Sequence, residues 1–256
     1  MIMSNLFDVK EKVALITGSS RGIGFTLARG LAHAGCKVIL NGTDAARVND
    51  ANEKLKKEGF VSSGSVFSVC DENSVNEKVQ KIEKEFGRID ILVNNAGINI
   101  RKPLEEFDLA EWQRILDINL TGAFLVSKAV AKGMIERRSG KIINICSVQS
   151  ELARPTITPY TASKGGLRNL TRGMAADWGK YNIQINGISP GYFKTEMTKA
   201  LAEDEKFDAW LKARTPANRW GEPEELLGAL LFLSSKASDF VNGQLIYVDG
   251  GLTSCV

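Results

Sequence analysis

Short apolar runs recur along this chain at residues 12–17, 37–41, 64–71, 89–93, 141–147, 183–188 and 244–248, and helix-prone stretches lie between them. Several of the helical stretches stop at a glycine, as at Gly35, Gly59 and Gly87. This alternation constrains the fold more than any other feature, since parallel strands can be joined only through a crossover, usually helical. It predicts an α/β fold with a parallel sheet and helices on both faces. Ligands of such sheets bind beyond the carboxyl ends of the strands, so the residues closing each run are the ones to read for chemistry.

At 256 residues the chain can bury one good-sized core, and we read a single domain over 1–256. Charged residues make up 25% and hydrophobic residues 43%, ordinary globular values, and a dispersed net charge of +3 argues against a nucleic-acid partner. Cys36, Cys70, Cys146 and Cys255 show neither disulfide-scaffold density nor metal-ligand spacing. A reducing, cytoplasmic setting without a bound metal is expected. His33, the only histidine, sits in a helical pattern, which excludes a Ser-His-Asp triad and most zinc sites. Residues 1–12 lack the apolar core of a signal peptide, and no apolar run reaches the ~18 residues of a membrane span.

The first run breaks into Gly18-Ser19-Ser20-Arg21-Gly22-Ile23-Gly24 and then a helix. Gly18 permits the tight turn, Gly22 lets backbone approach a pyrophosphate, and Gly24 allows close helix-strand packing, with the phosphates at the helix N-terminus. Ser20, Arg21 and Ile23 belong to the same expected cofactor turn. The second run leads into Gly42, Thr43 and Asp44, where an acid selects NAD and a cation or small polar group admits NADP. Thr43 offers no carboxylate and Arg21 can supply positive charge, so NADP(H) is expected, with NAD left open by Asp44. Asp71 either caps the following helix or bonds the adenine amine. Asn94-Asn95-Ala96-Gly97 closes the fourth run, where Asn95 and Gly97 leave room for a cofactor.

Residues 112–137 read as one long helix with Asn119 inside it, either a satisfied amide that bends the helix or a link in a proton path. Tyr160 and Lys164 stand four apart and share a helix face. An ammonium about 4 Å from a phenol is worth roughly 4 kcal/mol at an effective dielectric of 20, about three pKa units. Lys164 is therefore expected to bring Tyr160 near neutrality, where it can act as general acid and base. Ser147, closing the fifth run, can hydrogen-bond the substrate oxygen that Tyr160 protonates. The loop after the sixth run leads into residues 192–215, expected to cover the site.

Thr17-Gly18-x-x-x-Gly22-x-Gly24, Asn94-Asn95-Ala96-Gly97, Asn119, Ser147, Tyr160-x-x-x-Lys164, Pro190-Gly191 and Asp249-Gly250-Gly251 resemble the short-chain dehydrogenase/reductases over essentially the whole chain. The resemblance implies a single Rossmann-type domain with a seven-stranded parallel sheet and a nicotinamide cofactor. It implies a catalytic tetrad of Asn119, Ser147, Tyr160 and Lys164, with Asn119 holding a water that relays protons through Lys164. It also places the nicotinamide ribose on Lys164 and the carboxamide near Ile188, Pro190, Gly191 and Thr195. A homotetramer through paired long helices follows by the same analogy. Within the family, segments 145–151, 157–160, 190–201, 214–221 and 233–243 are similar to the gluconate 5-dehydrogenases, implying interconversion of D-gluconate and 5-keto-D-gluconate.

A sugar-acid substrate agrees with the residues themselves. Its carboxylate needs a cation, which Arg101 or Arg154 can supply, and its hydroxyls need donors and acceptors, which Gln149, Glu151 and Tyr192 can supply. A 3-oxoacyl thioester reductase or another sugar or polyol dehydrogenase is the alternative within the class. A nucleotide-binding regulatory module is the alternative outside it.

Overall fold

The computed structural model describes residues 6–255, so the first five residues of the 1–12 leader reading lie outside it. The strands are β1 (Val13–Ile16), β2 (Lys37–Gly42), β3 (Ser62–Val66), β4 (Ile91–Asn94), β5 (Gly140–Ile145), β6 (Ile183–Pro190) and β7 (Leu245–Val248). They form one seven-stranded sheet in the order β3-β2-β1-β4-β5-β6-β7, and every pairing is parallel. The strand order reverses between β1 and β4, which opens a crevice at their carboxyl ends.

The period of two along each strand divides the core. Ala14, Ile16, Val38, Leu40, Ile91, Val93, Ile143 and Ile145 pack on one face of the sheet. Leu15, Ile39, Leu92, Ile142 and Ile185 pack on the other. The first face is covered by α1 (Gly22–His33) and α9 (Leu227–Ser234), and the second by α3 (Glu72–Phe86), α5 (Gly122–Arg137) and α6 (Thr158–Trp178). Each fully buried Leu or Ile contributes about 1.5–3 kcal/mol relative to exposure, so the continuous apolar runs are what a two-sided sheet requires.

Three expectations need correction. The run 64–71 is not a strand throughout: β3 ends at Val66, opposite the last residue of β2, Gly42, and the bond from Phe67 N to Gly42 O at 3.1 Å closes the ladder. Phe67 and Val69 are buried by packing against the second core face. The stretch 112–137 is not one regular helix: α4 (Leu109–Leu116) passes through a π turn, Asp117–Thr121, into α5. The stretch 224–233, helix-prone throughout by its amphipathic pattern, opens as a 3₁₀ turn, Pro223–Leu226, before α9.

Two glycines hold the chain where the site forms. Gly18 has φ +60°, and a Cβ there would meet Ala96 Cα at 2.8 Å, so β1 and the end of β4 approach closely only because no side chain intervenes. Gly191, just beyond β6, would meet Asp249 Cα at 2.8 Å in the same way. Gly18→Ala is expected to lower stability by about 1–3 kcal/mol through strain at this turn. Denaturant unfolding measures it, and an unchanged midpoint would show that the turn relaxes freely.

Candidate active site

The glycine turn is clamped from behind. Asn95 Nδ2 donates to the carbonyls of Thr17 and Gly18 at 3.0 and 2.9 Å, and Asn95 N and Ala96 N donate to Thr17 Oγ1. Asn41 Oδ1 accepts from Gly18 N at 3.2 Å. Asn95 thus fixes the turn, and Gly97 lies beside Asn119, its missing Cβ 3.3 Å from the amide oxygen. At the mouth of α1 the first residues carry no side-chain cap, and a Cβ on Gly22 would meet nothing within 4 Å. Free amides and open space at a helix N-terminus fit a diphosphate.

The ribose end is more occupied than expected. Asp44 caps α2 (Ala45–Lys57) by accepting from Arg47 N, and it pairs with the Arg47 side chain at 3.3 Å. That removes the one carboxylate that stood against NADP, while Thr43 remains exposed beside Gly42. Ser20 Oγ lies 3.4 Å from the Cβ position of Gly42. Arg21 is engaged: Nη1 bonds Glu196 Oε2 at 2.8 Å across the mouth of the crevice. Asp71 accepts from Ser74 N through Oδ1 as the cap of α3.

Asn119 is 1% exposed inside the π turn and uses its whole amide. Its oxygen accepts from Ile98 N, and its nitrogen donates to Ile98 O and to Ser163 Oγ. The irregular turn carries the amide across to the segment after β4 and to α6.

Ser147, Tyr160 and Lys164 come together at the end of β5 and the start of α6. Pro159 near the N-terminus of α6 lets the helix begin there. Lys164 is 4% exposed, and its ammonium donates to Ile145 O at 2.7 Å while lying 5.7 Å from the Tyr160 ring centre. Burial pushes it down to about 8. Tyr160 is pushed up, first by burial, with the Ser147 hydroxyl and the Arg101 guanidinium acting downward. This corrects the expectation that Lys164 draws the phenol to neutrality. Taking Lys164 wholly and Tyr160 partly out of water favours the neutral form of each, and the ammonium is held on a carbonyl rather than on the phenol.

Ser147, Gln149, Tyr160, Gly191, Tyr192, Arg101 and Arg154 line one cleft beside this group. Arg101 is pushed down by burial and by the charge of Arg154, so two guanidiniums face the same space. Arg101 Nη2 donates to Met197 O at 3.3 Å, and Arg154 stacks 5.4 Å from the Phe207 ring centre. Glu151 does not join them: it pairs with Arg168 at 2.7 Å and accepts from Tyr247 at 3.1 Å, because the 3₁₀ turn Val148–Ser150 carries it away from the cleft. Asn99, Ile157, Thr198 and Leu201 also border the cleft and were not singled out from sequence. Asn99 had a signal, since it lies two residues past Gly97 beyond a strand end. Thr195 hydrogen-bonds Thr198 at the entrance to the 192–215 segment, where α7 (Lys199–Ala202) and α8 (Glu205–Arg214) follow. A second hollow, bounded by Thr215, Arg219, Glu225 and Asp249, holds none of the Ser147, Tyr160 and Lys164 group; Arg219 pairs with Glu225 there, and Asp249 accepts from Thr253.

Lys164 gives a pH signature. Its amine titrates at about 8 when folded and near 10.5 when unfolded, so the unfolded chain binds more protons between those values. The stability this group contributes therefore grows as pH rises through that window. The buried thiols Cys36 and Cys146, pushed up to about 12 and about 11, work the opposite way above the ordinary thiol value of 9.0. Between pH ~8 and ~9, wild type is expected to gain stability over Lys164→Met at up to ~1 kcal/mol per pH unit. Parallel stability curves from denaturant titration would contradict this.

No helix among the described residues is long and apolar enough to cross a membrane. A family model described as enoyl-(acyl carrier protein) reductase matches residues 18–253. The chain is 56% identical over 254 residues to 5-keto-D-gluconate 5-reductase of Escherichia coli K12, covering 99% of this chain and 100% of the relative. It is 55% identical to gluconate 5-dehydrogenase of Gluconobacter oxydans, covering 97% of each. The crystal structure of a gluconate 5-dehydrogenase from Burkholderia cenocepacia J2315 in complex with NADP and tartrate superposes with a TM-score of 0.96 at 53% identity, covering 98% of this chain and 99% of that one. With a glycine turn, a parallel sheet and a Ser-Tyr-Lys group at the strand ends, the chain belongs to the short-chain dehydrogenase/reductase family.

Proposed function

We propose that this protein interconverts D-gluconate and 5-keto-D-gluconate with NADP(H). The observation that carries the reading is the cleft itself: Ser147 and Tyr160 share it with two arginines that face no carboxylate among its lining residues. A sugar acid meets both demands, a reacting oxygen for the first pair and an anion for the second. Full-length similarity to enzymes of that activity supports it.

The residues fit the cofactor. Amides of Gly22, Ile23 and Gly24 at the start of α1 would hold the diphosphate, with Gly18 shaping the turn. Ser20, Arg21 and Thr43 would meet the 2′-phosphate once Arg21 leaves Glu196, and Asp71 would lie toward the adenine. Asn95 and Gly97 keep the groove open, Lys164 would take the nicotinamide ribose, and the backbone near Ile188, Pro190, Gly191 and Thr195 would take the carboxamide. When bound, the nicotinamide donates or accepts the hydride.

In the reductive direction Ser147 donates a hydrogen bond to the C5 oxygen and Tyr160 gives it a proton. A phenol kept protonated by burial is suited to that donation, and the buried ammonium of Lys164 favours the phenolate that remains. Asn119 positions Ser163 and the chain after β4, and a water on its carbonyl side would return the proton through Lys164. Arg101 and Arg154 anchor the carboxylate, while Gln149 and Tyr192 meet the hydroxyls. The 192–215 segment covers the bound pair. A cytoplasmic homotetramer, paired through its long helices, completes the reading.

The family model's description favours one second reading, a thioester reductase. Two cleft arginines weigh against it. Initial rates of NADPH and NADH oxidation with 5-keto-D-gluconate and with an acetoacetyl thioester test the choice. Turnover with NADPH and the keto acid is expected; turnover with the thioester alone would move the substrate to the second reading. In the same assay Tyr160→Phe is expected to lose about 10²-fold or more in kcat while still binding NADPH. Arg101→Ala is expected to raise KM for the acid well above its effect on an uncharged keto sugar, and equal effects would remove Arg101 from carboxylate binding.

A further inference from the structure

Two amides on the cleft wall are short of a hydrogen bond. Gln149 is 6% exposed, and its Oε1 is shut from water without a donor among the described residues. Asn99 Oδ1 is in the same condition. Both residues border the cleft that contains Ser147 and Tyr160. Buried carbonyl oxygens are ordinarily paired, and the neighbouring Asn119 uses both ends of its amide. Among the described residues bordering the cleft, these two side chains alone have a buried polar atom without a partner.

We propose that the Gln149 and Asn99 amides turn into the cleft as substrate seats and accept hydrogen bonds from hydroxyls of the bound carbon chain, so that the site selects polyhydroxy acids over their deoxy analogues. The proposal deepens the sugar-acid reading and rests on it. The Gln149 peptide is already fixed against the reacting end, since its N–H donates to Ser147 Oγ at 3.1 Å. On this proposal its side chain takes the hydroxyl on C4, one of the two carbons next to the reacting C5, and Asn99 takes the one on C3. A hydroxyl both donates and accepts, so it completes the amide oxygen, whereas a methylene leaves that oxygen buried and unpaired. Arg101 and Arg154 carry donors and no acceptor, so they complete the carboxylate and leave the hydroxyl protons without a partner. Recognition is thus divided: the arginines read the carboxylate, and the amides read the hydroxyl pattern.

The test compares kcat/KM for 5-keto-D-gluconate and its 4-deoxy analogue in wild type and Gln149→Met, which keeps side-chain length without the acceptor. Wild type is expected to prefer the hydroxylated acid by about tenfold to a hundredfold. In Gln149→Met the ratio should fall to within about twofold, through loss of rate on the hydroxylated acid alone. Asn99→Ala should do the same for the 3-deoxy analogue, with NADPH affinity unchanged in both variants. Ratios left at the wild-type value, or equal losses on both substrates, would overturn the proposal. If wild type reduces a different polyhydroxy ketone and not the sugar acid, the substrate reading alone fails. The hydroxyl-to-deoxy ratio on that ketone then decides the role of Gln149.

Discussion

Lys164 donates to the carbonyl of Ile145 at 2.7 Å, and much of the site depends on that bond. A buried ammonium is costly unless it is paired, and here its partner is a single neutral carbonyl at the end of β5. The amine is consequently left at about 8, able to release or take a proton near neutral pH. The same bond ties the first turns of α6 to the sheet. Tyr160, one turn earlier, is thereby placed beside Ser147, which closes β5. Burial then divides the pair, with the phenol retaining its proton and the amine becoming easier to discharge. A site meant to protonate an alkoxide and be recharged from water needs that difference.

The second requirement is that the groove stays open. β1 and the end of β4 approach through Gly18, and Asn95 locks the turn from the sheet side. Across the mouth, the segment 192–215 is joined to the rest by Arg21–Glu196 and by Arg101 to Met197 O. Exposed ion pairs of this kind are worth about 0–1 kcal/mol. The segment is held more firmly by aromatics: its Tyr192, Phe207 and Trp210 pack with one another and with Trp220 beyond it, ring centres 5.2–6.4 Å apart. Weak ties at the rim and a rigid cluster behind them suit a segment that moves as a unit.

The alternation of runs and helices was enough to derive the sheet, because apolar burial on both faces leaves a continuous signal. The Tyr160 to Lys164 spacing and the glycine turn were legible for the same reason: each depends on local geometry. Properties set by distant neighbours were not. Phe67 and Val69 look like strand residues but lie past the end of β3, where Phe67 N–H makes the last backbone bond to β2. The π turn at Asp117–Thr121 answers to Ile98 and Ser163, and nothing near Asn119 in sequence names them. Tyr160 shifts upward because burial outweighs the nearby charges, and burial is a property of the fold. Glu151 was read as a substrate group from its place between Ser147 and Tyr160, yet Arg168 and Tyr247 claim it.

Hydride transfer to C5 beside Ser147 and Tyr160 is the central claim, and isotope placement tests it most directly. 5-Keto-D-gluconate is reduced by the enzyme with NADPH deuterated at the transferable position, and the product is read by NMR. The account predicts D-gluconate with deuterium on C5 alone. Deuterium on another carbon, or no labelled gluconate, would contradict it.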